Sequence, residues 1–351
     1  MYNFEQYKDE VIQLRRHFHK HPELGFQEYE TSKFIQEYLK NLGLEPKVIA
    51  KTGVVALIEG KYPGKTILLR SDMDALAVLE ENDVAYVSEN KGVMHACGHD
   101  GHMAMLLVAA KILTEQRDAM HGTVKLVFQP NEEEDGASFL IKEGVLKNPD
   151  VDTSFAVHLW TPIPSGYIGL KSGPVMAEMY NFKITLVGKG GHTSAPQSSI
   201  DPIICAANII QSVQSIQTRE IDPMDATVIM FGKISGGTSS NIIAETVEME
   251  GTLRYLYDGD DDGEQQPRKR FERIVKSICE AYRINGTVEF MPSSYTVMND
   301  ESSVQFLKTH VMNQIVPEHN IIPYCCMGGE DFSEFINHNN IPGALIFIGT
   351  G

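Results

Sequence analysis

Positive charge is scarce in this sequence: 30 Lys and Arg stand against 47 Asp and Glu in 351 residues, a formal net charge of −17. A nucleic-acid or anionic-membrane partner would need a local basic patch, and none is evident. No apolar run approaches the roughly 20 residues that cross a bilayer, so no membrane association is expected. The first residues, Met1 to Glu5, lack the basic and apolar regions of a secretory signal. Cysteine is sparse and odd in number, at 97, 205, 279, 325 and 326, which argues against a disulfide framework and for a reducing, cytoplasmic setting. The adjacent pair Cys325-Cys326 has neither redox nor metal spacing and reads as packing. With 42% hydrophobic and 8% aromatic residues, the composition is that of a soluble globular chain long enough for one large domain or two ordinary ones. Small-molecule chemistry is the expectation.

Apolar residues recur at helical spacing over 7–19 and 28–42, with His21-Pro22-Glu23-Leu24-Gly25 breaking the pattern between them. Short β-branched runs at 54–59, 66–70, 124–129 and 154–159 then alternate with a helix over about 101–115, the pattern of an α/β fold with a parallel or mixed sheet. Residues 180–290 follow another order: strand 181–187, helix 202–218, strands 226–234 and 246–255, helix 267–282, strand 287–290. This βαββαβ order is a split βαβ unit inserted into the first domain, giving boundaries at 1–178 with 292–351, and 179–291 for the insert. Gly236-Gly237-Thr238-Ser239 would join two of its strands. The acidic stretch from Asp258 to Glu264 reads as a solvated loop, since its carboxylates lack the spacing of a Ca²⁺ loop.

Chemistry concentrates in three places. Met-His-Ala-Cys-Gly-His-Asp-Gly-His runs from Met94 to His102; a strand at 124–129 empties into Pro130-Asn131-Glu132-Glu133-Glu134; the strand at 66–70 ends in Asp72 and Asp74, whose side chains point the same way if the chain is extended. A thiolate, imidazoles and paired carboxylates at strand ends are what a divalent-metal hydrolase needs, in the position where open α/β sheets bind ligands. Mixed S, N and O donors suit Zn²⁺ or Mn²⁺.

Taken together, Arg15-Arg16-His17-Phe18-His19, His21-Pro22-Glu23-Leu24-Gly25-Phe26, Arg70-Ser-Asp-Met-Asp-Ala-Leu76, the Met94–His102 run, Phe128-Gln-Pro-Asn-Glu-Glu133, Gly188-Lys-Gly-Gly-His192 and Gly329-Glu-Asp-Phe332 resemble the metallo-aminoacylase/carboxypeptidase family. Within it the likeness is to the branch of hippurate hydrolases, N-acetyl-diaminopimelate deacetylases and auxin-conjugate hydrolases. The resemblance implies a mixed-sheet metallohydrolase domain with a ferredoxin-like lid and dimerisation domain, two divalent ions per subunit, an N-acyl amino acid substrate, and a homodimer or higher homo-oligomer. It implies Cys97, His99, Glu133 and His158 as metal ligands, Glu132 as the general base that activates water, and Asp72 and Asp74 as the acidic pair supporting the metal site. His192 is implied as a donor to the oxyanion in the partner subunit, and Asn241 and Arg254 as the grip on the substrate carboxylate.

His17, His19 and His21 are implied to give structural support. Asn131 and Glu134 depart from the family, where Ala and Gly are usual. Relatives also continue past Gly351 with one further histidine ligand and a closing helix. The expected activity is hydrolysis of an N-acyl amino acid amide, with a dipeptidase or carboxypeptidase, or a catalytically silent metal- or ligand-binding relative, as alternatives.

Overall fold

A computed structural model describes residues 4–257 and 266–351; the acidic stretch from Asp258 to Glu264 lies outside them. The chain divides into two compact units, one of Met1–Val175, Val297–Cys325 and Glu330–Gly351, the other of Met176–Thr296 and Cys326–Gly329.

The first unit is built on an eight-stranded mixed sheet in the order Lys47–Ile49, Gly53–Glu59, His121–Gln129, Tyr62–Asp72, Thr153–Trp160, Gly343–Gly349, Ile168–Gly169, Ile321–Ile322. Its four central strands, from His121–Gln129 to Gly343–Gly349, run parallel. They are the β-branched runs of the sequence, buried on both faces by helices, which is why they read as nearly continuous apolar stretches. The helix Lys8–Lys20 turns Leu14 and Phe18 into this core, and Tyr29–Asn41 turns in Ile35 and Leu39. The central helix His99–Glu115 begins two residues before the expected start. Gly98 precedes it at φ +108°, a left-handed turn that favours glycine and drops the chain into the helix at His99.

The second unit is a four-stranded antiparallel sheet, ordered Thr227–Gly236, Thr246–Tyr255, Glu178–Val187, Asn285–Ser294. The helices Pro202–Ser215 and Pro267–Tyr282 cover one face, and the chain order is βαββαβ. Asp201 caps the first helix by accepting from the Ile203 amide, with Pro202 in the first turn where its missing N–H costs nothing. Cys205, Ala206, Ile209 and Val213 form its buried stripe, and Phe271, Val275 and Cys279 that of the second. Between Gly236 and Thr246 the chain does more than turn: Ile242–Ile243 pairs with Gly191–His192 as a two-stranded ribbon. None of the five cysteines is in a disulfide, and Cys325 is exposed rather than packed. Among the described residues no helix is long and apolar enough to cross a membrane.

The second unit's core centres on Phe271, fully buried with ring centroids 4.7 Å from Phe182 and 5.7 Å from Phe290. Phe271→Ala should cost about 3–5 kcal/mol. Amide hydrogen exchange in Glu178–Val187 and Thr246–Tyr255 should speed up accordingly; a protection loss below about 1 kcal/mol would mean the cavity collapses around the missing ring.

Candidate metal centre

Three neighbouring parallel strands deliver their carboxyl ends side by side. Tyr62–Asp72 ends in Asp72 and leads to Asp74, His121–Gln129 leads into the turn of Glu132 and Glu133, and Thr153–Trp160 carries His158 near its end. Cys97 and His99 arrive from the other direction, at the start of the central helix. Among the described residues, Cys97, His99 and His158 form one group whose donor atoms lie within 4.8 Å of one another, and His99, Glu132 and Glu133 form a second. The two groups share His99.

The orientation of the rings decides what this cluster can bind. His99 is fully buried, its Nδ1 donates to the Asp74 carbonyl at 2.8 Å, and its Nε2 has no hydrogen-bond partner. Around that Nε2 stand Asp72 Oδ2 at 3.7 Å and Glu132 Oε2 at 3.8 Å. His158 donates from Nδ1 to the Leu159 carbonyl at 2.7 Å, which leaves the Nε2 lone pair 3.6 Å from Cys97 Sγ. A buried nitrogen without a partner is costly. Two imidazoles each fixed by a carbonyl at Nδ1, the Nε2 of His99 unpartnered and that of His158 on the Cys97 thiol, beside carboxylates, match the donor set of a divalent cation.

Electrostatics agree. Burial opposes charge on His99, but Asp72 outweighs it and lifts the His99 pKa well above the ordinary value. Asp72 is driven far down despite its burial, by His99, His102 and Arg70. Glu132 is pushed well up by burial and by the neighbouring Glu330 and Asp331. Burial and the nearby His102 lower His158 to about 3, so it is neutral at pH 7, as a ligand must be. The carboxylates around His99 thus favour positive charge at this point of the cleft.

The two aspartates support the cluster in different ways. Asp74 accepts the Glu132 amide at 2.9 Å on one oxygen and the Glu133 amide at 3.1 Å on the other, pinning the turn that carries both glutamates. Asp72 accepts from His102 Nδ1 at 2.7 Å and from Arg70 at 2.9 Å. His102 and Asp72 form a further group with His99. Both ring nitrogens of His102 are nevertheless used, the second accepting the Leu159 amide at 2.8 Å, so His102 is a strut between strand and helix. Glu132, Glu330 and Asp331 also cluster, but Arg70 lies among them, 3.1 Å from Glu330 and 3.0 Å from Asp331, and a cation there would meet a guanidinium.

In the second unit, His192 is exposed and its Nδ1 accepts the Ser194 amide at 3.2 Å, so the proton sits on Nε2. Asn241 lies beside it, its carbonyl accepting the Thr193 amide at 3.1 Å. Arg254 is partly buried and donates to the Met327 carbonyl at 2.9 Å, with no carboxylate partner among the described residues.

Sequence reasoning passed over several residues of this centre. His102 lies three positions after His99, on the same helix face. Arg70, Glu330 and Asp331 stood in the quoted motifs without a role. Glu28 carried no signal at all: fully buried, it takes the Asn131 amide at 2.9 Å and the Thr52 hydroxyl at 2.6 Å, holding Asn131 at φ +56° just ahead of the glutamates. Glu134 is exposed. His19, unlike His17 and His21, is buried: it bonds Asp100 at 2.7 Å and Glu80 at 3.1 Å, with Arg15 on Asp100 at 2.9 Å, and so braces the residue that follows His99.

Residues 68–351 match the profile of the peptidase family M20/M25/M40. Thermostable carboxypeptidase 2 of Saccharolobus solfataricus is 42% identical over 98% of this chain and 86% of its own length. N-acetyl-L-cysteine deacetylase of Bacillus subtilis is 37% identical over 99% and 82%, and IAA-amino acid hydrolase ILR1-like 4 of Arabidopsis thaliana 38% over 97% and 77%. Among solved structures, a dinuclear metal binding peptidase of the M20 family from Bacillus subtilis superposes with a TM-score of 0.83 at 32% identity, covering 99% of this chain and 90% of that one.

The brace at His19 has a pH signature. Its pKa is raised, chiefly by the hydrogen bond to Asp100, against the opposing effect of burial. Its contribution to stability is therefore complete below the unfolded value of about 6.5 and is lost as pH rises through the higher folded value. Thermal melting of metal-free protein should show His19→Gln destabilised most at mildly acidic pH, the gap from wild type closing above neutrality. A gap independent of pH would remove the imidazolium from the account.

Proposed function

The chain belongs to the peptidase family M20/M25/M40, and on that footing we propose that it is a metal-dependent amidohydrolase that cleaves N-acyl amino acids to a carboxylic acid and a free amino acid. The observation that carries this reading is the unpartnered, buried Nε2 of His99, centred among Cys97, His158, Glu132 and Glu133. In this reading Cys97, His99, Glu133 and His158 hold two divalent ions per subunit, Zn²⁺ or Mn²⁺, in keeping with the dinuclear site named for the Bacillus subtilis relative. When bound, such ions supply Lewis acidity, polarising the amide carbonyl and easing ionisation of water.

The remaining work falls to side chains of this chain. Glu132 takes the proton of the attacking water and passes it to the leaving nitrogen. Its upward-shifted pKa, from burial and from Glu330 and Asp331, makes it a better proton acceptor than an ordinary carboxylate. Asp74 holds Glu132 in place through the backbone. His192, protonated at Nε2, is a ready donor to an oxyanion. Arg254, which bonds a carbonyl and pairs with no carboxylate among the described residues, has donors left for a substrate carboxylate. Asn241 assists.

We assign 179–291 as the lid and dimerisation domain. The strand Thr227–Gly236 lies at an open edge of its sheet with Met230 and Ile234 exposed, an edge that a second copy would cover. Five cysteines without a disulfide favour the cytoplasm. A carboxypeptidase activity is the second reading, favoured by the 42% identical thermostable carboxypeptidase; it differs in needing a peptide rather than a simple acyl group on the scissile side.

Glu132→Gln should bind metal like wild type yet lose about 10²–10⁴-fold in turnover of an N-acetyl amino acid; loss of metal with activity restored on reloading would exchange the roles of Glu132 and Glu133. Cys97→Ala should lower metal content and turnover together, and full metal occupancy with full turnover would take Cys97 out of the ligand set. Co-assembly of His192→Ala with Glu132→Gln subunits should yield more activity than either parent, since one site of the heterodimer regains both groups. Verified heterodimers without recovery would confine His192 to its own subunit.

A further inference from the structure

Three consecutive backbone amides at the head of the glutamate turn are each taken by a buried carboxylate. Asp74 accepts those of Glu132 and Glu133, and Glu28 accepts that of Asn131 at 2.9 Å. Glu28 is fully buried, and its second oxygen accepts the Thr52 hydroxyl at 2.6 Å. A buried carboxylate is costly unless its oxygens are satisfied, and here both are spent on neighbouring chain segments. Glu28 belongs to none of the metal-binding groups among the described residues.

The fit between Asn131 and the loop that carries Glu28 is steric as well as polar. Asn131 sits at φ +56°, a left-handed conformation that asparagine tolerates better than most residues. Its side-chain nitrogen donates to the Glu134 carbonyl at 3.0 Å, and its side-chain oxygen occupies the space that a Cβ on Gly25 would need. Gly25 thus leaves room for the Asn131 side chain, while Glu28, three residues on, fixes the Asn131 backbone. The same loop is joined to the aspartate side of the centre: Leu24 bridges Ala75, and the Ala75 amide donates to the Glu23 carbonyl at 2.8 Å. One short segment therefore ties the chain just after Asp74 to the chain just before Glu132.

We propose that Glu28 is a positioning residue for the hydrolytic step, fixing through the Asn131 amide the turn from which the Glu132 carboxylate reaches the attacking water. The inference rests on the amidohydrolase reading with Glu132 as base. Asp74 holds the turn at Glu132 and Glu133, and Glu28 holds it one residue earlier. Without Glu28 the buried Asn131 amide has no acceptor. Asn131 then relaxes from its left-handed conformation and rotates the residue that follows it. A misplacement of about 1 Å costs up to about 10²-fold in rate, and losing a residue that orients the groups around a metal site costs about 10–100-fold in affinity or activity.

Metal-loaded Glu28→Ala should therefore show kcat for an N-acetyl amino acid reduced about 10–100-fold, with KM near that of wild type. Glu28→Gln keeps one oxygen for the Asn131 amide and gains an N–H group that can donate to the Thr52 hydroxyl, so it should recover most of the lost kcat. Ile35→Ala empties the core under the helix that Glu28 precedes; it should lower Tm and leave kcat unchanged. Affinity for Zn²⁺, measured by chelator competition without substrate, should weaken in Glu28→Ala and return in Glu28→Gln, because Glu133 rides on the same turn.

Should Glu28→Ala fail to fold, Gly25→Ala probes the same contact. It should lower kcat by crowding Asn131, and adding Asn131→Gly, which removes the crowded side chain and keeps the left-handed backbone, should restore it; no recovery in the double variant would overturn the inference. So would wild-type kcat in folded, metal-loaded Glu28→Ala, a Glu28→Gln no better than Glu28→Ala, or an equal loss of kcat in Ile35→Ala. Wild type inactive on every N-acyl substrate, or undiminished turnover in Glu132→Gln, would strike the underlying reading instead, with the Zn²⁺ affinities still deciding whether Glu28 holds the turn.

Discussion

A fully buried guanidinium makes the acidic centre of this protein possible. Arg70, two residues before the end of its strand, pairs with Asp72, Glu330 and Asp331, bonds the Gln129 side chain at 2.8 Å, and is a cation that offsets those carboxylates. Burying several carboxylates without such a partner would drive them to protonate. His99, His102 and Arg70 hold Asp72 ionised against its burial, while burial, Glu330 and Asp331 push Glu132 upward against the pull of His99 and Arg70. The balance of burial and neighbouring charge thus separates one carboxylate held ionised from one suited to proton transfer. Replacing the guanidinium with an amine would not serve equally, because the planar fork reaches several acceptors at once.

Much of the centre is held through main-chain groups. The carbonyl of Asp74 orients His99, its carboxylate carries the Glu132 and Glu133 amides, the Leu159 carbonyl orients His158, and Glu28 holds the amide of Asn131. His99, Glu132 and Glu133 are therefore tied to Asp74 just past a neighbouring strand end, and His158 to the next residue of its own strand. Preorganisation of this kind keeps buried donor atoms pointing at an ion site without the entropy of ordering them at each binding event. The charge brace of Arg15, His19, Glu80 and Asp100 extends the same logic to the turn that carries Cys97.

The strand runs and the βαββαβ order were legible because apolar periodicity follows directly from which faces are buried. Pieces too short to show a period were not: Ile168–Gly169, Ile321–Ile322 and Gly191–His192 are strands of two residues, formed only because a neighbouring strand offers them hydrogen bonds. The start of the central helix was misplaced by two residues, since the glycine that sets it needed a backbone angle and not a propensity.

By itself the sequence determined the chemistry on offer: a thiol, imidazoles and paired carboxylates at predicted strand ends. Such residue types act through donor atoms that are present whatever the fold. Only the tertiary structure decided that His102 braces while His99 keeps a free nitrogen, that Asp74 works through backbone amides, and that Arg70 meets Glu330 and Asp331 from some 260 positions away in the chain. The physical reason is that a side chain's role depends on which of its polar atoms are already satisfied, and that is fixed by neighbours distant in sequence.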